Sequence, residues 1–365
     1  MAGARGIRPM GMTFRELSGW LSGELGLKPY RAAQVFRWIH VRGAASFGEM
    51  TDLGRDLRQR LSDIAEIAVP VERGRQESAD GTLKVLLGLE DGLTVESVLI
   101  PDRNRLTACL STQVGCRMGC TFCMTGRTGF RRNLEPDEIV SQLYSLRAAV
   151  SRRITNVVLM GMGEPFDNAG AVSEALDILT DDHGECIGSR KITVSTIGLP
   201  GTIGEFASLP GQYGLAVSLH SAVQETRESL VPAARALPLP LLKSDLVSYA
   251  ETKGRRVTLE YCLIRGVNDS IEQAGELARF TRNLPCKLNL LTYNRIQGID
   301  LEPPPEERVR RFVDYLYPRC PAVTLRRSRG ADIAAACGQL GASLLEPVQD
   351  RAVDGTGTAG REMTV

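Results

Sequence analysis

Apolar residues recur at spacings of three and four through the first 65 residues, the pattern of amphipathic helices that bury one face. The three stretches that show it are FRELSGWLSGEL, YRAAQVFRWIH and LGRDLRQRLSDI. We expect Trp20, Trp38 and Phe36 to form a small core between these helices. The sequence therefore predicts a helical N-terminal domain over residues 1–68.

The apolar period changes to two between about residues 70 and 100. TLKVLLGL and LTVESVLI alternate as strands do, and the turn residues Glu90, Asp91 and Gly92 lie between them. We therefore predict a β-hairpin over residues 69–104 that links the helical domain to the rest of the chain.

From residue 105 to about 295, strand-like apolar runs alternate with amphipathic helices. The predicted strands are LTACLSTQ, TNVVLMG, KITVSTIG, YGLAVSLH, VTLEYCLI and KLNLLTYN. Near-continuous apolar strands between helices indicate a buried parallel sheet with helical crossovers. The fold class is therefore α/β, a (βα)6 partial TIM-type barrel that is short of the eight units of a closed one. We place this domain and a C-terminal extension at 105–348, and expect the Gly/Thr-rich tail 349–365 to be disordered.

Composition and charge exclude several classes of protein. The 44 Lys and Arg residues nearly balance 43 Asp and Glu, so a uniformly basic nucleic-acid binder is excluded and RNA contact would need a local patch. No apolar run reaches the roughly 18 residues of a membrane span, and the N-terminus lacks the apolar stretch of a secretory signal. We expect a cytoplasmic protein, in which nine cysteines are not a disulfide scaffold.

Three cysteines follow the first barrel strand in a C-x3-C-x2-C loop, Cys116, Cys120 and Cys123. Three thiolates on one short loop suit three irons of a [4Fe-4S] cubane and leave the fourth iron open to another ligand. The alternative is a structural zinc site with Cys109 as fourth ligand, although such sites usually use C-x2-C pairs. The spacing resembles the radical S-adenosylmethionine (SAM) superfamily, whose cluster binds the amino and carboxylate groups of SAM.

Small and polar residues follow the ends of the other predicted strands, where parallel α/β barrels bind ligands. After TNVVLMG, Gly163 would let the backbone approach a ligand and Glu164 would accept from an ammonium group, which resembles the radical-SAM "GEP" motif. The remaining candidates for the SAM site are Ser195, Ser218, Leu219, His220 and Asn294.

Five segments together resemble the RlmN/Cfr family of radical-SAM RNA methyltransferases. They are ACLSTQVGCRMGCTFCMTG, VVLMGMGEPFDN, ITVSTIG, VSLHS and RGADIAAACGQL, and the resemblance covers nearly the whole chain. It implies a helical RNA-binding N-terminal domain, a [4Fe-4S] cluster and two SAM molecules per turnover. RlmN-like members methylate C2 of an adenosine in 23S rRNA, and many also methylate adenosine 37 of tRNA.

Two alternatives stay open at this point. Cfr-like members of the family methylate C8 of the same rRNA adenosine, and a zinc-stabilised RNA-binding factor would not be an enzyme. The resemblance also implies a low-potential electron donor such as flavodoxin or ferredoxin. We expect a monomer, with an RNA surface that combines the N-terminal helices with Arg127, Arg131 and Arg132.

The resemblance assigns roles to two further cysteines and one acid. Cys337 would take a methyl group from one SAM, and a radical made from the second SAM would activate that methyl group for addition to adenine C2. Cys109 would then attack the Cys337 sulfur and release the RNA, leaving a disulfide. Glu96 matches the acid that is the family's proposed proton acceptor. The other cysteines, which we predict to be structural, are Cys186, Cys262, Cys286 and Cys320.

Overall fold

The computed structural model describes residues 6–341 of the 365-residue chain. The predicted tail 349–365 and the last residues of the predicted domain 105–348 lie outside the described residues.

Three helices open the described chain: α1 (Phe14–Leu25), α2 (Pro29–Arg37) and α3 (Arg55–Ile64). A capping box between Thr13 and Glu16 starts α1. Phe36 is fully buried, as predicted, but Trp20 and Trp38 are only partly buried at the edge of the core.

The helical domain packs directly against the helices that cover the sheet. The Phe14 ring stacks on His183 with centroids 3.9 Å apart, and His40 Nδ1 lies 2.6 Å from the hydroxyl of Tyr144. Because these contacts join one continuous set of buried apolar residues, the helical domain shares its core with the barrel.

Four antiparallel strands follow: β1 (Val71–Glu77), β2 (Leu83–Gly88), β3 (Thr94–Asp102) and β4 (Arg105–Leu110). The predicted hairpin is confirmed as the β2–β3 pair. The apolar pattern does not predict β1, because all seven of its residues are exposed at the edge of the sheet. Since β3 also pairs with β4, the hairpin is continuous with the barrel sheet.

Seven parallel strands form the barrel within residues 6–341. After β4 they are β7 (Asn156–Leu159), β8 (Ile192–Thr196), β9 (Gly214–Ser218), β10 (Val257–Leu263), β11 (Cys286–Thr292) and β12 (Val323–Arg326). Within the described residues one sheet has the order β1-β2-β3-β4-β7-β8-β9-β10-β11-β12, and β5 (Gln113–Val114) pairs separately with β6 (Arg132–Asn133). The six predicted barrel strands are confirmed, and β12 extends them by one.

Helices connect these strands. They are α4 (Met124–Arg127), α5 (Pro136–Ala148), α6 (Ala169–Thr180), α7 (Thr202–Ser208), α8 (Gln224–Leu230), α9 (Leu239–Lys253), α10 (Ile271–Phe280) and α11 (Glu306–Leu316). Helices α7 and α8 are not predicted by the apolar period, because seven residues make only about two turns. Across residues 6–341, no helix is long and apolar enough to cross a membrane.

Candidate active site

A cavity opens at the C-terminal ends of the parallel strands, and it collects almost every residue that the sequence singled out. The predicted site residues that line it are Cys109, Cys116, Cys120, Cys123, Gly163, Glu164, Ser195, Ser218, His220, Asn294 and Cys337. Glu96 and Leu219 are buried outside it. Parallel strands bring these side chains together because their carboxyl ends meet at one edge of the sheet.

The cysteine loop runs between β5 and α4, where Cys116, Cys120 and Cys123 are half-buried. Burial raises the pKa of all three thiols, and the charges of Cys123 and Cys116 add to the rise at Cys120. A cationic group is therefore needed to hold them as thiolates.

The donor set of the loop suits a cluster. Cys116, Cys120 and Cys123 all line the cavity from one short loop. Three thiolates on one loop fit three irons of a [4Fe-4S] cluster and leave the fourth iron open to another ligand.

Gly163 and Glu164 form a wall of the cavity after β7. Gly163 has φ +101°, and a Cβ there would come within 2.6 Å of the Gln113 Cβ, so only glycine fits. The buried Glu164 carboxylate accepts hydrogen bonds from the backbone N–H groups of Phe166 (3.2 Å) and Ile197 (3.0 Å). Burial raises its pKa to about 7. Two fixed donors thus preset the carboxylate for a cationic partner.

The ends of β8 and β9 supply further polar groups that line the cavity. The hydroxyls of Ser195 and Ser218 lie 3.3 Å apart. His220 accepts a hydrogen bond at Nδ1 from the backbone N–H of Cys262 (3.1 Å), and burial lowers its pKa to about 3. The ring is therefore neutral with its proton on Nε2. Leu219 contributes only its backbone, whose N–H donates to Glu260 O.

Residues 330–341, here called the C-terminal strap, cross the cavity and carry Cys337. The backbone N–H of Met124 donates to Gly338 O (2.7 Å), and Thr125 Oγ1 donates to Leu340 O (2.6 Å). Gly338 has φ +84°, and a Cβ there would lie 3.2 Å from Phe122 O. The strap is thus held directly on the cysteine loop, with Cys337 facing the cavity.

The loop between β1 and β2 binds the start of the strap, and strand β3 binds its end. Ser78 Oγ donates to Asp332 (2.6 Å), and the backbone N–H of Gly330 donates to Asp80 (3.1 Å). Glu96, 2% exposed, accepts from the Gly341 N–H at 2.7 Å and lies 3.8 Å from Lys84 Nζ. In this structure Glu96 therefore anchors the strap.

Cys109 and Cys337 line the same cavity from β4 and from the strap. Burial and the nearby charge of Cys337 raise the pKa of Cys109 to about 12. Cys262, which we predicted to be structural, also lines the cavity, and burial together with the charge of Cys337 raises its pKa as well. The cavity therefore holds three thiols besides those of the cysteine loop.

Sequence reasoning missed four charged residues of this cavity, which are Glu260, Arg326, Arg327 and Arg329. Glu260 of β10 lines it, is 8% exposed, and accepts from Asn289 Nδ2 at 2.5 Å. A carboxylate within the apolar run VTLEYCLI was the available signal, and Glu96 has the same setting in LTVESVLI. Arg326, which ends β12, also lines the cavity. Arg132, by contrast, is held by Glu138 (2.7 Å) and Asp91 (2.5 Å), so the structure does not leave it free for RNA.

Comparison with known proteins agrees with this geometry. The ribosomal RNA large subunit methyltransferase N-terminal domain matches residues 10–67, and the radical SAM superfamily matches residues 110–278. The dual-specificity RNA methyltransferase RlmN of Anaeromyxobacter dehalogenans is 44% identical over 326 residues, which cover 87% of each chain. The RlmN of Nitratidesulfovibrio vulgaris is 42% identical over 355 residues, 94% of this chain and 96% of that one. The chain belongs to the RlmN family.

A solved structure supports the same relationship. A radical SAM methyltransferase from Sphaerobacter thermophilus is 41% identical, with a TM-score of 0.87 over 92% of this chain and 99% of that chain. As an RlmN-family protein the chain is a radical-SAM methyltransferase that uses a [4Fe-4S] cluster and SAM. Cys116, Cys120 and Cys123 line the cavity from one short loop.

Replacing Glu164 by Ala should weaken SAM binding about ten- to a hundredfold, because one charge-assisted hydrogen bond contributes about 1.5–3 kcal/mol. Anaerobic titration calorimetry on protein with full iron content measures this affinity. Glu225→Ala, which removes an exposed glutamate of α8 outside the cavity, is the control. Equal affinities in Glu164→Ala and wild type would remove Glu164 from the SAM site.

Proposed function

We propose that this RlmN-family protein methylates C2 of an adenosine in 23S rRNA, with tRNA as a second substrate, through Cys337 and Cys109. The observation that carries the proposal is the strap, which places Cys337 in one cavity with Cys109 and the cysteine loop. The relatives named dual-specificity RNA methyltransferases support the choice of RNA. We further propose that the protein acts as a cytoplasmic monomer and takes electrons from a low-potential donor such as flavodoxin or ferredoxin.

Cys337 is proposed to act first. Its thiolate attacks the methyl carbon of SAM, an S–CH3 bond forms on Cys337, and the sulfonium C–S bond breaks with its electron pair on the leaving S-adenosylhomocysteine. The thiol proton must pass to a base, because the thiolate and not the thiol is the nucleophile. The strap orients the sulfur through the bonds that Gly338 and Leu340 make to the cysteine loop.

Cys109 is proposed to act last. When bound, the cluster and SAM would supply the radical chemistry that activates the Cys337 methyl group. Joining that carbon to adenine C2 releases the C2 proton to a base and one electron to the low-potential electron carrier. Attack by the Cys109 thiolate on the Cys337 sulfur then forms the S–S bond and breaks the S–C bond, whose electron pair stays on the carbon, and this carbon takes up a proton to complete the new methyl group. An external thiol reductant returns the disulfide to two thiols.

We propose Glu96 as the acceptor of the C2 proton, from its match to the family motif, and Glu260 as the second candidate. Glu96 now bonds the Gly341 N–H, so it would reach the base only after the strap shifts. Glu260 already lines the cavity, and burial raises its pKa. The two carboxylates are therefore separable by mutation.

RNA contact is proposed at the arginines around the cavity. Arg326, Arg327 and Arg329 all line it, close to the strap. Arginine clusters bind phosphate and stack on bases, so this group would hold the nucleotides that flank the target adenosine.

The position of methylation tests the proposed function. RNA from a strain that lacks the endogenous enzyme, incubated anaerobically with reconstituted protein and SAM, should give 2-methyladenosine after digestion. Chromatography with mass detection separates it from 8-methyladenosine. Only 8-methyladenosine would establish the Cfr-like alternative, and the absence of both methylated adenosines from rRNA and tRNA would refute the proposal.

Cys337→Ala and Cys109→Ala should differ in what they accumulate. Cys337→Ala has no sulfur to load and should form no RNA adduct. Cys109→Ala should load the methyl group, add it to the base and stall as a covalent protein–RNA species, visible as a slow band on a denaturing gel that nuclease collapses. Cys262→Ala is the matched control, because Cys262 is another cavity thiol close to Cys337. Cys262→Ala should trap no RNA. Absence of trapped RNA in Cys109→Ala, or trapping in Cys262→Ala, would contradict the two-cysteine mechanism.

Glu96→Gln should trap the same adduct if Glu96 accepts the C2 proton, while Glu260→Gln should release RNA at a rate within a few-fold of wild type. Both substitutions keep the size of the side chain and its capacity to accept a hydrogen bond. Single-turnover gels with labelled RNA measure the trapped fraction. Trapping in Glu260→Gln alone would transfer the role to Glu260.

A further inference from the structure

Arg227 is a buried cation that the proposed mechanism does not use. Its residue is 0% exposed, and Nη2 donates to Ile197 O at 2.5 Å. In residues 6–341, Nε and Nη1 of Arg227 have no hydrogen-bond partner. An unpaired buried charge is strongly unfavourable, so a buried guanidinium with two unpaired donors points to a negative group close by.

Helix α8, which carries Arg227, packs against the cysteine loop. The backbone N–H of Thr121 donates to Leu230 O (3.0 Å), and Thr121 Oγ1 approaches the same oxygen (3.4 Å). Met118 and Met124 of the loop pack in one apolar cluster with Leu230. Arg227 therefore lies one turn of helix from the segment that holds Cys120 and Cys123.

The hydrogen bond from Arg227 to Ile197 connects Arg227 to Glu164 in the wall of the cavity. Ile197 accepts from Arg227 through its carbonyl, and its N–H donates to the Glu164 carboxylate. Arg227 thus lies behind the cavity, between the loop that would hold the cluster and the strand end that would hold SAM. Because Arg227 does not itself line the cavity, SAM in the cavity would not reach it directly.

The charge of Arg227 acts on the cluster loop. Burial lowers its pKa to about 10, so the guanidinium is cationic at neutral pH, and the charge of Cys120 opposes that decrease. The same guanidinium helps to lower the pKa of His220. Glu228, the next anion on α8, is already engaged by Gln224 (2.7 Å) and Arg235 (3.6 Å). Cys120 is thus the loop thiolate that Arg227 is placed to stabilise.

We propose that Arg227 is a positioning residue for the [4Fe-4S] cluster. The buried positive charge of Arg227 offsets the negative charge of the thiolate-ligated cluster and raises the reduction potential of the cluster. The proposal rests on the cluster of the RlmN family and on no assumption about the RNA. Reduction adds one negative charge to the cluster, and a fixed cation in a region of low dielectric stabilises the reduced form more than the oxidised form.

The test is the midpoint potential of the cluster, measured by EPR-monitored redox titration of the reconstituted protein without SAM or RNA. Arg227→Met keeps most of the volume and removes the charge. It should disfavour reduction at least tenfold, a shift of about 59 mV to more negative potential for a one-electron couple. Arg227→Lys keeps the charge and should retain most of the wild-type potential. Arg235→Met, which removes an exposed arginine from the next helical turn, should leave the potential unchanged.

Two results would overturn the proposal. One is a wild-type midpoint in Arg227→Met at equal iron content, and the other is an equal shift in Arg227→Met and Arg227→Lys, which would indicate packing alone. If Arg227→Met loads no cluster, Arg227→Gln replaces it, and the proposal then requires a higher midpoint in Arg227→Lys than in Arg227→Gln. Because no RNA is present, a failure here is independent of any failure to find 2-methyladenosine.

Discussion

The attachment of the C-terminal strap to the cysteine loop is the contact on which the rest of the site depends. Thr125 Oγ1 and Leu340 O are joined by one hydrogen bond across 215 residues of sequence. Each such bond contributes only about 0.5–1.5 kcal/mol, so the additional anchors at Asp332, Gly330 and Gly341 are needed to fix the strap. Together they place Cys337 over a cavity whose other residues belong to the barrel.

Around that strap the site is prepared by buried charges and fixed protonation states. Glu164 is held by two backbone donors, and His220 is neutral because it is buried near Arg227. Burial raises the pKa of the Cys109 thiol to about 12, so this thiol stays protonated until a base removes its proton. Cys337 is the exposed thiol of the pair.

The sequence predicted those parts of the fold and site that depend on local pattern. The alternation of strands and helices gave the partial barrel, and the turn at Glu90–Gly92 gave the β2–β3 hairpin, because both follow from the period of apolar residues. Strand β1 was not predicted because all seven of its residues are exposed and it has no apolar face, and its place in the sheet comes from pairing with β2. The cysteine loop was predictable from spacing alone.

Functional roles that depend on contacts between distant segments could not be predicted in this way. Glu96 and Glu260 carry the same signal, a carboxylate in an apolar strand, yet the structure buries one under the strap and opens the other to the cavity. Arg227 lies in a short polar helix whose sequence gives no sign of burial. Cys262 lies in none of the recognised motifs, although it lines the cavity beside Cys337.

The central claim is that Cys109 and Cys337 act on each other within this cavity. The most direct test is a single anaerobic turnover on RNA without thiol reductant, followed by alkylation, digestion and mass analysis of the cysteine peptides. The account predicts one Cys109–Cys337 disulfide for each methylated adenosine, with Cys262 recovered as a free, alkylated thiol. Methylated RNA formed while Cys109 and Cys337 both remain free thiols would contradict it.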